Sequence, residues 1–181
     1  DKWVDRLNKI ESFDQNIQQH THFYKAVEGK PKGDGYDVSS DHMRKRLSED
    51  RAWLNSQGFE ISGFSSGAWL VNDDLFDILV DLGYKYDSSV KGKEVKKISG
   101  VLEIPVSGKL RRILKDFLTL RPTSSCMVLE DIRMCVISFH DYDLESAKFR
   151  LVLRMVLKYF NYMGFSFVNT NILYDKLIEN Q

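Results

Sequence analysis

Glu60-Ile-Ser-Gly-Phe64, Asn72-Asp-Asp-Leu-Phe-Asp-Ile-Leu-Val-Asp-Leu-Gly83 and Tyr84-Lys-Tyr-Asp87 follow one another in this chain and carry its fold-defining pattern. The first run is short, largely apolar, and reads as a strand. The second opens on Asn72 or Asp73, either of which can cap free helical amides, and keeps apolar residues at helical spacing through Leu82. Gly83 then supplies the left-handed stop. The third run is again a short strand. A strand, a helix and a strand in so few residues form a βαβ unit, and parallel strands require such crossovers.

The same alternation extends in both directions. Upstream, Lys2–Ser12 reads as a helix with Trp3, Val4, Leu7 and Ile10 at helical spacing, and Gln15–Thr21 as a polar strand. Lys25–Val38, with Gly29, Pro31, Gly33 and Gly35, reads as an exposed loop, and a long helix runs from Ser40 or Asp41 to Gln57. Downstream come a strand Val101–Val106, an amphipathic helix near Lys109–Leu120, a strand Ile132–Phe139, a helix Leu144–Met163, a strand Phe165–Val168 and a closing helix Ile172–Glu179. The pattern predicts an α/β chain with a parallel sheet, either doubly wound or rolled into a barrel. A complete eight-stranded barrel of about 250 residues does not fit into 181 residues.

Lys+Arg and Asp+Glu each number 26, so the formal net charge is zero and a nucleic-acid partner, which needs excess cations, is not expected. The basic run Lys91, Lys93, Lys96, Lys97 reads as a solvated loop in preference to a binding patch. Cys126 and Cys135 have neither zinc nor redox spacing and read as unbridged, partly buried thiols. No segment reaches the roughly 18 continuous apolar residues of a membrane span. The opening Asp1-Lys-Trp-Val-Asp-Arg6 lacks the apolar core of a signal peptide.

The histidines carry the chemical interest. His20 and His22 form a His-x-His pair at the end of a strand, and strand alternation places both imidazoles on one side. That suits two ligands of one metal ion, with two surface histidines as the plainer alternative. His140 follows the apolar run Met134-Cys-Val-Ile-Ser-Phe139 and so lies at the carboxyl end of a strand, where α/β folds gather catalytic groups. Asp141 and Asp143 flank it and can orient its ring or cap the next helix. His42, in the first turn of a helix, reads as a surface residue. Gly33-Asp-Gly35 lacks the context of a phosphate loop, and Asp73-Asp74 sits where acids favour a helix dipole. Aromatic rings beside the loops that follow strands, among them Phe23, Tyr24, Tyr36, Trp69 and Tyr142, can stack on sugar faces or join the core.

Taken in order, these stretches resemble a known family. Gly63-Phe-Ser-Ser-Gly-Ala-Trp69, Asn72-Asp-Asp-Leu-Phe-Asp-Ile-Leu79 and Leu82-Gly-Tyr-Lys-Tyr-Asp-Ser-Ser89 resemble the central part of the polysaccharide deacetylases of the NodB-homology type. Gln18-Gln-His-Thr-His-Phe23 looks like that family's metal-histidine motif, Leu102-Glu-Ile-Pro-Val106 like its Glu-Ile-Pro strand, and Ile137-Ser-Phe-His-Asp-Tyr-Asp143 like its terminal histidine motif. Tyr162-Met-Gly-Phe-Ser-Phe-Val168 resembles its last strand.

The resemblance implies a single domain over residues 1–181, folded as an incomplete or distorted (β/α) barrel. It further implies metal-dependent hydrolysis of N-acetyl groups on a polysaccharide or other glycan. His20 and His22 would be metal ligands, with zinc as the first choice and cobalt or nickel as alternatives. His140 would be the general acid, and Ser65, Trp69 and Tyr142 would contact an N-acetylated carbohydrate. Two departures qualify this. The family's Asp-Asp motif lies well upstream of its histidines, whereas only 19 residues precede His20, and the family's site-orienting arginine aligns with Ser65. The alternative expectation is therefore a catalytically inactive domain of the same fold that binds carbohydrate or a protein. A barrel without its first strands would expose sheet edges, so a homodimer is expected.

Overall fold

A computed structural model describes residues 1–23, 25–27, 30–32, 38–110, 112–113, 115, 119, 126–129 and 132–179. They are mixed α/β and fall into two compact units, one of Asp1–Val90, Lys96–Glu103 and Val168–Gln181, the other of Lys91–Val95 and Ile104–Phe167. Among the described residues no helix is long and apolar enough to cross a membrane.

The first unit is built on a five-stranded sheet. Strands β1 (Gln19–Thr21), β4 (Gly63–Ser66), β5 (Tyr86–Asp87) and β7 (Val101–Glu103) run parallel in that spatial order, and β6 (Lys96–Ile98) adds antiparallel to β7. Helix α1 (Lys2–Glu11) starts on Asp1, whose carboxylate accepts from Trp3 N at 2.9 Å. Helix α2 (Ser40–Ser56) is capped by Ser39 and buries Met43 and Leu47. Helix α3 (Asp73–Asp81) supplies the crossover expected between β4 and β5: Asn72 caps Leu75 N at 3.1 Å, and Asp73 and Asp74 occupy the positive end of the helix dipole. Its buried face, Leu75, Phe76, Ile78 and Leu79, meets Met43, Leu47, Phe59, Ile61, Phe64 and Val101 in one core. Leu79 is completely buried there, so truncating it to alanine removes about 2–5 kcal/mol of stability.

The last helix, α5 (Thr170–Glu179), joins this unit through a polar contact point. Asn171 Oδ1 accepts from Tyr86 Oη at 2.8 Å, Ser62 Oγ at 2.9 Å and Gln18 Nε2 at 3.4 Å. Gln18 Oε1 in turn accepts from the amides of Ser62 and Gly63. Buried polar groups near the starts of β1, β4 and β5 are satisfied together, as burial requires. Burial pushes the Tyr86 hydroxyl up to about 12, so it stays a donor.

In the second unit β8 (Gly108–Lys109) pairs parallel with β11 (Ile137–Ser138), and β9 (Met127–Leu129) pairs antiparallel with β10 (Ile132–Met134). Helix α4 (Ala147–Tyr162), capped by Ser146, packs Val156 and Phe160 against Leu110, Ile113 and Cys126. Neither cysteine forms a disulfide.

Several elements differ from expectation. The supposed loop from Lys25 contains a short hairpin, β2 (Lys25–Val27) with β3 (Lys30–Lys32), and Lys96–Ile98 of the basic run is a strand. Tyr24, Tyr36 and Gly33–Gly35 lie outside the described residues, as does much of the helix expected near Lys109–Leu120. The strand expected over Ile132–Phe139 is interrupted at Cys135 and Val136, because Val136 turns its amide to Ser107 Oγ at 3.0 Å and its carbonyl to Ser107 N at 2.8 Å. Phe165–Val168 forms no strand. Gly164, at φ +83°, donates to Asn161 O and Phe165 donates to Phe160 O, both at 3.0 Å, while the Phe165 and Phe160 rings meet at 5.0 Å. This is a Schellman helix stop with its apolar contact, and it takes up the amides of Gly164 and Phe165.

Candidate functional site

Alternation along β1 and the two residues after it sorts the histidines from the core. Gln19, Thr21 and Phe23 are buried, whereas His20 and His22 are exposed. The inward polar groups are satisfied: Gln19 Nε2 donates to Thr21 Oγ1 at 3.0 Å and to Leu47 O at 3.3 Å, Thr21 Oγ1 donates to Asp50 at 3.0 Å, and Tyr84 Oη donates to Gln19. The strand is thereby fixed from its inner side, and the outward pair is held in register.

His20 Nε2 and His22 Nε2 stand 3.1 Å apart, with the rings edge-on at an interplanar angle of 88°. Two nitrogens at roughly 2.0–2.1 Å from one tetrahedral ion would be separated by about 3.3 Å, so the pair already has the spacing of two ligands. His20 is opposite Ser65 in the β1–β4 register, and its Nδ1 lies 2.8 Å from Ser65 O. A carbonyl only accepts, so Nδ1 carries a proton and donates it, which in the neutral tautomer leaves the lone pair at Nε2, within hydrogen-bond distance of His22 Nε2. A backbone carbonyl on the far nitrogen is the usual orienting partner of a metal-binding histidine.

The loop after β4 shapes the other side. A Cβ on Gly67 would sit 2.3 Å from the His22 ring, so only glycine leaves that ring its place. Ala68 and Trp69, which follow, both have left-handed backbones, at φ 56° and 62°. Such a pair of non-glycine residues is strained and is held by its surroundings. Trp69 is half-buried in this loop, and Ser65 Oγ donates to Ser88 O at 3.2 Å. Among the described residues no group of three His, Cys, Asp or Glu side chains is placed to hold a metal, so His20 and His22 fit two positions of a metal site and no carboxylate completes it there.

His140 and Tyr142 come together in the second unit. Their rings stack at 4.6 Å with an interplanar angle of 12°, and both residues are exposed. Asp143 Oδ2 accepts from the His140 amide at 3.1 Å and lies 3.8 Å from Nδ1. Asp143 therefore caps the 3₁₀ turn Asp141–Glu145 and places its carboxylate beside the His140 ring.

No family model matches the sequence, and no curated protein sequence matches it. The crystal structure of a candidate polysaccharide deacetylase from Mycobacterium smegmatis is similar over 97% of this chain, with a TM-score of 0.48 and 18% identity. The chain spans 60% of that protein's length. At that identity and TM-score, the chemistry is read from the residues of this chain alone.

One constellation escaped the reading of the sequence as a site. Asp87 and Glu103, in register on β5 and β7, are both buried, and Glu103 Oε2 has no hydrogen-bond partner among the described residues. Ser89 donates to Asp87 from its amide at 3.0 Å and its hydroxyl at 2.6 Å, and the amide of Ser66 donates to Ser89 Oγ at 2.7 Å. Val90 N reaches Glu103 Oε1 at 3.2 Å. Burial raises both carboxyls, and burial together with the neighbouring Asp87 carboxyl pushes Glu103 up to about 10. The pair thus holds a proton at neutral pH. The available signal was Glu103 within the otherwise apolar run Val101–Val106, with Asp87 at the end of Tyr84–Asp87.

Proposed function

We propose that this chain is a deacetylase-type α/β domain, an incomplete or distorted (β/α) barrel, in which His20 and His22 hold a divalent metal for hydrolysis of N-acetyl groups on a polysaccharide. Zinc is the first choice, with cobalt or nickel as alternatives. One observation carries the reading: the Nε2 atoms of His20 and His22 converge at 3.1 Å while the carbonyl of Ser65 fixes the far nitrogen of His20. A divalent ion bound there supplies Lewis acidity toward an amide carbonyl.

The remaining roles belong to the chain itself. Ser65, through its main chain, keeps the His20 lone pair outward. Gly67 gives His22 its room, and the strained Ala68-Trp69 turn presents an indole on which a sugar's C–H face can stack. By the resemblance alone, His140 would be the proton donor to the departing amine; within its own unit Tyr142 stacks on its ring and Asp143 lies beside it. Substrate is an N-acetylated carbohydrate.

A second reading has its own support. At the position where the resemblance implies an arginine, Ser65 presents a neutral hydroxyl that is turned to Ser88 O. A domain so altered would bind N-acetylated carbohydrate without hydrolysing it.

Acetate release from N-acetylglucosamine oligosaccharides, measured with zinc, cobalt or nickel added, tests the first reading against the second. Metal-dependent release that disappears in His22→Ala supports hydrolysis. Oligosaccharide binding without acetate release supports the second reading, and neither binding nor release contradicts both.

A further inference from the structure

We infer that a cavity in the second unit is a binding site for the phosphate group of a small phosphorylated molecule. The cavity has a volume of about 500 Å³, within the range of small-ligand sites. Lys91, Lys93, Lys109 and Arg112 line it together with Ser107 and Val106, and no carboxylate contributes to the lining among the described residues.

Local structure brings these cations together from two stretches of chain. Lys91 forms a parallel bridge with Val106, and Gly92 N donates to Val106 O at 3.4 Å, so the basic loop is anchored to the segment that leaves β7. That segment continues through Ser107 into β8 and becomes helical at Leu110, which brings Arg112 back over Gly108. A Cβ at Gly108 would touch the Arg112 stem at 3.7 Å. Ser107 Oγ accepts from Val136 N at 3.0 Å, so its hydroxyl proton remains for a ligand oxygen.

The charge selects the ligand. The chain as a whole is neutral, yet four cations share this concavity. A ligand carboxylate carries one negative charge, whereas a phosphate monoester carries about −1.5 to −2 at pH 7 and three acceptor oxygens, which matches Lys109 and Arg112 together. The planar fork of Arg112 suits two such oxygens at once, and the lysines act as point charges. The cavity is larger than a phosphate, so the phosphate is attached to an organic body. The cations sit in one pocket and not along a stripe, which favours a small molecule over a nucleic acid.

Titration of the full chain with glucose 6-phosphate, inorganic phosphate and glucose, followed through backbone amide chemical shifts, tests the assignment. Expected are saturable shifts at Gly92 and Gly108 with glucose 6-phosphate, weaker ones with inorganic phosphate, none with glucose, and loss of affinity as salt is added. The double variant Lys109→Ala, Arg112→Ala alters exposed side chains only, and it should weaken glucose 6-phosphate by about tenfold or more. Arg112→Lys, which keeps the charge, should recover only part of that loss. Saturable binding of inorganic phosphate alone identifies a free phosphate as the ligand source and still supports the site. Shifts that are absent with both phosphate probes, or unchanged in the double variant, would overturn the assignment. So would a duplex oligonucleotide that binds through these residues while glucose 6-phosphate does not.

Discussion

Asp87 and Glu103 face each other across neighbouring parallel strands, both carboxyls are buried, and together they keep a proton that an exposed pair would release. The consequence for stability runs opposite to that of a salt-bridged carboxylate. Glu103 is raised to about 10 in the fold, while in the unfolded chain it titrates near the ordinary glutamate value. Between those values the native state binds a proton that the unfolded state lacks, so stability falls with rising pH, by up to about 1.4 kcal/mol per pH unit for one proton. Urea unfolding from pH 5 to pH 9 should show that decline. Glu103→Gln, which keeps a donor toward Asp87 without the extra ionisation, should flatten it and leave the variant more stable than the parent at pH 9. Stability that rises with pH across this range would contradict the shared proton.

Gly67→Ala places a methyl group where the His22 ring stands. The ring must move, and the 3.1 Å convergence with His20 is lost, while the strand pairing of β4 is left intact. Zinc affinity should fall by about tenfold or more, equivalent to about 1.4 kcal/mol, with the far-UV circular dichroism unchanged. Unaltered zinc affinity would show that His22 does not take part.

Asn171→Ala removes the acceptor shared by Tyr86, Ser62 and Gln18. Leaving buried donors unpaired costs about 1–3 kcal/mol for each group that finds no water, so the midpoint of urea unfolding should drop clearly. A shift within experimental error would mean that water replaces the amide.

Ala68→Gly should do the opposite. At φ 56° alanine pays a steric penalty that glycine does not, so the variant should be more stable by up to about 1 kcal/mol. Sugar binding through Trp69, if it depends on this turn being rigid, should weaken in the same variant. Reduced stability would indicate that the methyl group is needed for packing.

The architecture of the first unit was largely legible in the sequence, because its signals are local. The cap at Asn72, the glycine after α3 and the period-two alternation through His20 and His22 each act within a few residues, and each appears in the structure. The second unit was less legible. Val136 gives its backbone groups to Ser107, a partner distant in sequence, and that exchange divides a strand that reads as continuous. Phe165 looks like strand sequence because it is apolar, yet its apolar surface closes the end of α4. Of the candidate site, the His-x-His spacing was readable, but the Ser65 carbonyl behind His20 and the closeness of Gly67 to His22 are tertiary facts. The partnership of Asp87 with Glu103 depends on strand register, which no local pattern specifies.

Zinc binding to the purified, metal-stripped chain, measured by competition with a chromophoric chelator, addresses the His20–His22 pair itself. One zinc per chain is expected, with affinity reduced by about tenfold or more in both His20→Ala and His22→Ala and restored in neither by added carbohydrate. Absence of stoichiometric zinc binding, or binding that survives both substitutions unchanged, would contradict a metal site at these histidines.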